Sequence, residues 1–460
     1  MINHHSLKLA IRLSFVIAVL LTTCSLSGCE LQNEYPDAFC LSKSIINSYT
    51  TAAASGSFTI PEHIKASTPE YSVPSVSIDA EVITPDTTKY PIVMVKKKEF
   101  SCADLQSIID ICTGTRTVLY SDFTLGKSEW LTKIDALNEL PSSELVRDDW
   151  RTFIKDNYKS APDVGSNQEI TIQDYYKSTP QNAYAQNQYG GWSQFYFSKD
   201  SNLFIYYRDV FMTVNTLSEF SEDQFDEEYE SLARFTWRTP GKPDISEDYA
   251  FNIAQNYINS LHTQLSLFEA EPCSVIVDDC KKTVGWMFTF TRNISGMQFP
   301  FLNGWIYANP YEPPRFVSMW GPEVLRIAVD QTGLCVIWWG GASELKNTIA
   351  NSIALEPFEL IVEKIPEQFI KLYKTHINAA GAGLHFEVTK ITLCTSLLAY
   401  SDKQNQAVYI PAWCIDYQRR WENSDELLDV GQLYLSAIDG SYIEPRMLTS
   451  EATRLLQHLD

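Results

Sequence analysis

The stretch Leu325-Arg326-Ile327-Ala328-Val329-Asp330-Gln331-Thr332-Gly333-Leu334-Cys335-Val336-Ile337-Trp338-Trp339 decides the fold. Two runs rich in β-branched and aromatic residues flank Asp330-Gln331-Thr332-Gly333, where a glycine provides the positive φ that a tight reversal needs. The pattern predicts an antiparallel hairpin, with strands over Glu323–Asp330 and Leu334–Trp339. Two more strand-like runs precede it, Cys273–Val277 and Trp286–Asn293. Ahead of these, Ser246 is placed to cap a helix: Glu247 and Asp248 suit its positive end, and Ala250, Ile253, Ala254, Tyr257, Ile258 and Leu261 form one apolar stripe.

The same order recurs towards the C-terminus. Helical segments over Pro357–His376, expected to break or kink at Pro366, are followed by strands at His385–Cys394, Ala407–Tyr417, Gly431–Ile438 and Tyr442–Glu444. The last two meet at another acidic-glycine turn, Asp439-Gly440. A helix, then strands, then a turn with Asp and Gly, appearing twice over about 100 residues each, argues for tandem duplication. The expected class is α+β: tandem modules of a helix packed on an antiparallel β-sheet, behind an additional N-terminal α+β region.

Towards the N-terminus, Val73–Thr84 alternates Val76, Ile78, Ala80 and Val82 with polar neighbours, and a second strand is expected over Pro91–Lys97. A helix from Ser101 places Leu105, Ile108, Ile109 and Cys112 on one face, and another from Lys127 ends at Pro141. Aromatic strands follow at Trp192–Ser198 and Leu203–Asp209, and the break Thr239-Pro240-Gly241-Lys242-Pro243 marks a boundary. The expected division is residues 1–28 as a leader, 29–69 as a Ser/Thr/Ala/Pro-rich flexible tether, then domains at 70–240, 241–350 and 351–460.

The leader carries the address. Lys8 and Arg12 precede the apolar run Leu13–Leu21, about half the roughly 20 residues that a spanning helix needs. Next comes Leu26-Ser27-Gly28-Cys29, which resembles the lipobox of bacterial lipoproteins. The resemblance implies cleavage before Cys29 and acylation of its thiol, so that the chain starts on a lipid anchor such as palmitate, at the extracytoplasmic face of the cell membrane. Two acyl chains, at about 0.8 kcal/mol per buried methylene, hold a folded domain there without a spanning segment.

The hairpins carry a second resemblance. Phe288-Thr289-Phe290-Thr291-Arg292-Asn293-Ile294-Ser295-Gly296 and the 325–333 stretch look like the strand and turn of PepSY-like modules. Tyr409-Ile410-Pro411-Ala412-Trp413 and Leu435-Ser436-Ala437-Ile438-Asp439-Gly440 are similar to signatures of an uncharacterised family of clostridial lipoproteins, with Ser436 where that family more often has Asn. This implies an anchored extracytoplasmic protein, and PepSY relatives imply an inhibitory or regulatory binding module.

Charge and composition narrow the function. The chain carries a net −21, and losing Lys8 and Arg12 with the leader leaves 34 basic against 57 acidic side chains, or −23. Such a surface repels nucleic acid and anionic headgroups, so no nucleic-acid partner is expected. Ten cysteines become eight beyond Cys24 and Cys29, which permits disulfides in an oxidising exterior without demanding them. Cys102 and Cys112 lie too far apart along a helix to bridge, whereas Cys273 and Cys280 are placed to face each other across a hairpin.

Catalytic signatures are missing: the chain has no G-x-S-x-G elbow, no H-E-x-x-H and no Walker loop. His376 and His385 lack a third metal ligand, and Asp226-Glu227-Glu228 and Asp278-Asp279 read as solvated turns. No catalytic residue, cofactor or metal is expected, and the chain is read as a non-enzyme. The candidate ligand surface is aromatic: Tyr189, Trp192, Trp338 and Trp339, with the polar run Asn182–Trp192 around the first two. Alternation puts Trp338 and Trp339 on opposite faces of a strand, so at most one belongs to the core. The expected role is non-catalytic binding or regulation at the envelope, with an envelope protein or wall component as partner. The alternatives are a solute- or carbohydrate-binding lipoprotein and, last, a hydrolase with an unrecognised site.

Overall fold

The computed structural model describes residues 60–68, 74–114, 117–138, 155–178, 181–187, 191–199, 202–208, 212–216, 245–277, 280–300, 322–373, 377, 381–399 and 406–443. Expectations for the leader, Cys29, most of the tether, Tyr189, the 226–228 and 278–279 acidic pairs, the 239–243 break and His376 fall outside these residues.

The fold is mixed α+β, built on two sheets. The larger holds β4 (Leu119–Thr124), β5 (Ser166–Ile170), β6 (Gln181–Gln186), β7 (Trp192–Ser198), β8 (Leu203–Tyr207), β9 (Met212–Thr216), β10 (Leu265–Val277), β11 (Cys280–Ile294), β12 (Met297–Gln298), β13 (Val324–Asp330) and β14 (Gly333–Gly340). Its spatial order is β5-β4-β6-β7-β8-β14-β13-β11-β10-β9, with β12 on β11. The smaller holds β1 (His63–Ser67), β2 (Ser75–Ile83), β3 (Ile92–Lys97), β15 (Ser343–Ala350), β16 (Leu384–Ala399), β17 (Gln406–Trp421), β18 (Leu427–Ser436) and β19 (Tyr442–Ile443). Its path β1-β2-β16-β17-β18-β19 is antiparallel except where β2 lies parallel to β16, while β3 joins β17 to β15.

The chain changes sheet between Gly340 and Ser343, and β9 pairs directly with β10. The described end of the 29–69 segment is a strand, since His63–Ser67 pairs residue by residue with Glu81–Ser77. Its sequence HIKAS has no apolar periodicity because it is an exposed edge, where charged side chains deter further pairing.

Helices cover one face of each sheet. Helix α1 (Cys102–Thr113) starts in a capping box: the Ser101 hydroxyl receives the Asp104 N–H at 3.1 Å, and the Asp104 carboxylate receives the Ser101 N–H at 2.8 Å. Gly114, at φ +72°, ends it. Residues 123–166 belong largely to a compact unit of their own, containing α2 (Lys127–Asn138), where Glu129 accepts the Gly126 N–H at 2.8 Å and Lys127 pairs with Asp163 at 2.7 Å. Short α3 (Ile172–Lys177) packs beside α1. Helix α4 (Glu247–Ser260), capped by Ser246 as expected, buries Ala250, Ala254 and Ile258 over the larger sheet.

Helix α5 (Phe358–Tyr373) buries Phe358, Ile361, Val362, Ile365, Phe369 and Tyr373 against the smaller sheet. It runs through Pro366, where a break or kink was expected. A proline inside a helix costs about 3 kcal/mol, and burial of six large side chains at roughly 1.5–3 kcal/mol each outweighs it.

Where the chain crosses between sheets, a buried ionic cluster joins them. Glu323 accepts from Arg292, from the Ser343 hydroxyl at 2.9 Å and from the Trp339 indole at 3.1 Å, while the Tyr409 hydroxyl lies 3.3 Å from the Glu323 N–H. Arg292 and Glu323 are both almost wholly buried, which is tolerable only because the carboxylate is so fully bonded.

Two cysteine expectations come out differently. Cys102 and Cys112 sit at opposite ends of α1 as free thiols, as the spacing requires. Cys273 faces Gly285 and Cys280 faces Val277, so this pair is not opposed, because the hairpin reverses closer to Cys280 than to Cys273.

Candidate ligand surface

Strand alternation gives the larger sheet two unlike faces. The front, under the helices, carries Phe195, Phe197, Phe204, Tyr206, Leu325, Ile327, Ile337 and Trp339. The rear carries their neighbours, and the registers arrange these in rows across the strands. One row runs Tyr120, Tyr184, Gln194, Tyr207, Val336. The next runs Asn182, Tyr196, Ile205, Trp338, Arg326, Thr289, Glu269.

The candidate tryptophans therefore separate. Trp339 is 2% exposed on the front, in an edge-to-face contact with Phe100 at 5.3 Å and bonded to Glu323. It is a core and joint residue, a correction that follows from the alternation itself. Trp338 is half-buried on the rear, its ring lying along its own strand over Gly340, where a Cβ would come within 2.8 Å of the indole. Trp192 is also on the rear but 7% exposed, edge-on to Tyr120 at 5.3 Å and 76°. Of the three described candidates, Trp339 lies on the other face from Trp338 and Trp192, which share theirs with tyrosines that the sequence reading did not single out.

Among these, Tyr120, Tyr184, Tyr196 and Tyr207 are half-buried, as are Asn182 and Gln194. Gln194 donates from Nε2 to Asn182 Oδ1 at 3.0 Å, which orients both amides. Burial pushes the Tyr184 phenol up, with a smaller push from Asp122, and burial likewise raises Tyr196. Both phenols thus stay protonated at neutral pH, and a hydrogen bond with Ser198 opposes the rise at Tyr196. The face offers π-surfaces set among amides and phenols, with Arg326 and Glu269 further along one row.

Strand β6 is what sequence reasoning missed. The run Asn182–Trp192 read as a polar loop, yet Ala183 and Ala185 point into the core and Asn182, Tyr184 and Gln186 point away. A period of two was present, but in alanine, whose small apolar surface gives a weak signal.

His385 lies between two hydroxyls on the smaller sheet, with Ser75 Oγ 2.8 Å from Nδ1 and Ser77 Oγ 3.1 Å from Nε2. These bonds tie β16 to its parallel neighbour β2. Among the described residues no group of three or more His, Cys, Asp or Glu side chains is placed to hold a metal ion, and no helix is long and apolar enough to cross a membrane.

No family model matches the chain, and no curated protein matches its sequence. Among solved structures, the chain is similar to one described as an uncharacterized protein from Eubacterium rectale ATCC 33656, at 14% identity and a TM-score of 0.46, over 84% of this chain and 94% of that one.

Proposed function

We propose that this protein is a lipid-anchored, extracytoplasmic protein with a non-catalytic binding or regulatory role at the cell envelope. The observation that carries the reading is the order Lys8, Arg12, apolar Leu13–Leu21 and Leu26-Ser27-Gly28-Cys29 at the head of an acidic, sheet-rich chain. Processing at that point attaches the ectodomain through Cys29. The partner is an envelope protein or a wall component.

The tandem-module reading has its own support. Helix α4 is followed by β10, β11, β13 and β14, and α5 by β16, β17, β18 and β19, each set paired in chain order as antiparallel neighbours. A non-catalytic role agrees with the use of the buried charges: Arg292 with Glu323 and Arg208 with Asp330 hold strands together.

The test is metabolic labelling with palmitate in intact bacterial cells, with crosslinking and pull-down of the wild type and Cys29→Ala. Label on the wild type alone, with release of Cys29→Ala from the membrane, is the expected outcome. An unlabelled wild type with its leader intact would overturn the address.

A further inference from the structure

We infer that the rear face of the larger sheet, around Tyr196 and Trp338, binds an uncharged glycan chain. This rests on the extracytoplasmic reading and names the ligand class for it.

The choice of ligand follows from what the face can offer. Strands β6, β7, β8 and β14 are interior, each paired on both sides, so their main-chain groups cannot receive an added strand. An extended peptide held in the usual way, by pairing with an edge, has no edge to use here. Recognition must come through side chains, and these are Tyr120, Tyr196 and Trp338 with the amides of Asn182 and Gln194 between them.

Aromatic faces that stack nucleobases work beside a positively charged groove that follows the phosphates. This chain carries a net −21, and the two rows that contain the rings, followed on through β13 and β11 to β10, hold one cation, Arg326, and two anions, Glu269 and Glu271. Polyanions, whether nucleic acid or phosphate-rich wall polymer, are disfavoured by that balance. A purely apolar partner would bury the Asn182 and Gln194 amides against groups that cannot hydrogen-bond, at a cost of about 1–3 kcal/mol for each buried group. A sugar ring matches both parts: its C–H face lies against an aromatic ring, and its hydroxyls exchange hydrogen bonds with the amides. Gln194 already orients Asn182, so the polar groups are set before binding, and Gly340 lets the Trp338 ring lie flat along the strand.

The experiment measures tryptophan fluorescence and calorimetric binding of the detergent-solubilised full chain. The probes are a hexamer of β-1,4-linked N-acetylglucosamine, maltohexaose, single-stranded DNA and an uncharged extended peptide. Binding of at least one neutral hexasaccharide is expected, weakened about tenfold or more by Tyr196→Ala and by Asn182→Ala, with Tyr196→Phe close to wild type. Thermal unfolding of each variant separates a lost contact from a lost fold. The proposal is overturned if neither sugar binds at millimolar concentration, if DNA or peptide binds in their place, or if folded Tyr196→Ala binds sugar as wild type does. Palmitate labelling is scored independently, so a wrong address and a wrong ligand give different results.

Discussion

Asp330 and Asp439 each stand at a hairpin turn and bond it almost identically. Asp330 Oδ1 accepts the Thr332 N–H at 2.8 Å and its hydroxyl at 2.7 Å; Asp439 Oδ1 accepts the Ser441 N–H at 3.0 Å and its hydroxyl at 2.7 Å. What each turn is fastened to differs. The Asp330 carboxylate also takes Arg208, the residue just past β8, in a two-pronged pair, at 2.9 and 2.6 Å. At Asp439 the cation is Lys364 of α5, which donates to the main-chain carbonyl and leaves the side chain to the turn. One hairpin is thus locked to a neighbouring strand through a side chain, the other to its helix through the backbone. The same local motif can serve a long-range contact that mutation can remove, or one that it cannot.

The largest effect is expected at Asp330→Ala, which leaves Arg208, 12% exposed, without its carboxylate. Stranding a mostly buried charge costs about 3–5 kcal/mol, readable as a shift in the urea midpoint. A loss as small as that from Asp439→Ala would show that the two turns are equivalent after all.

A pH titration sharpens the same contrast. Burial alone would raise the Asp330 carboxyl, but the hydrogen bonds and charge of Arg208, with help from Thr332, hold it below the usual range. A carboxyl depressed in the folded state takes up its proton later than in the unfolded chain, whose value is about 3.9. Its contribution is full above that value and is lost as pH falls through it towards the folded-state value. The acid limb of stability against pH should therefore be shallower in Asp330→Asn than in the parent; superimposable limbs would mean that Arg208 does not hold the charged form.

Smaller effects belong to the second hairpin. Asp439→Ala removes the turn acceptor but spares the Lys364 bond, for a loss of about 1–2 kcal/mol by chemical denaturation. Ser441→Ala deletes one hydroxyl contact and should cost about 0.5 kcal/mol. If Ser441→Ala matched Asp439→Ala, the backbone N–H bond would contribute nothing to the turn.

These turns were also the most legible part of the sequence. Asp-Gln-Thr-Gly between two apolar runs, Ser246 ahead of an amphipathic stripe, and a helix starting at Ser101 all act over a few residues, and the structure has each in place. What could not be read depends on partners far away in the chain. The parallel pairing of Ser75–Ile83 with β16 leaves no mark in either segment. Strand β15, SELKNTIA, is polar because it is an edge, and its alternation is interrupted by irregular pairing with β3. The candidate surface was half legible for the same reason: Trp338 was conspicuous, whereas Tyr120, Tyr184 and Tyr196 join it only through registers across four strands.

The bond from Ser75 to His385 spans 310 positions of the chain. A polypeptide made from its N-terminus brings β2 out long before β16, so the smaller sheet cannot close until nearly all of the chain has emerged. During that interval the apolar side of β2, Val76, Ile78, Ala80 and Val82, has no cover from its final partners. Such delayed, non-local closure makes folding slow, and it leaves the unfinished chain open to proteases and to holding chaperones.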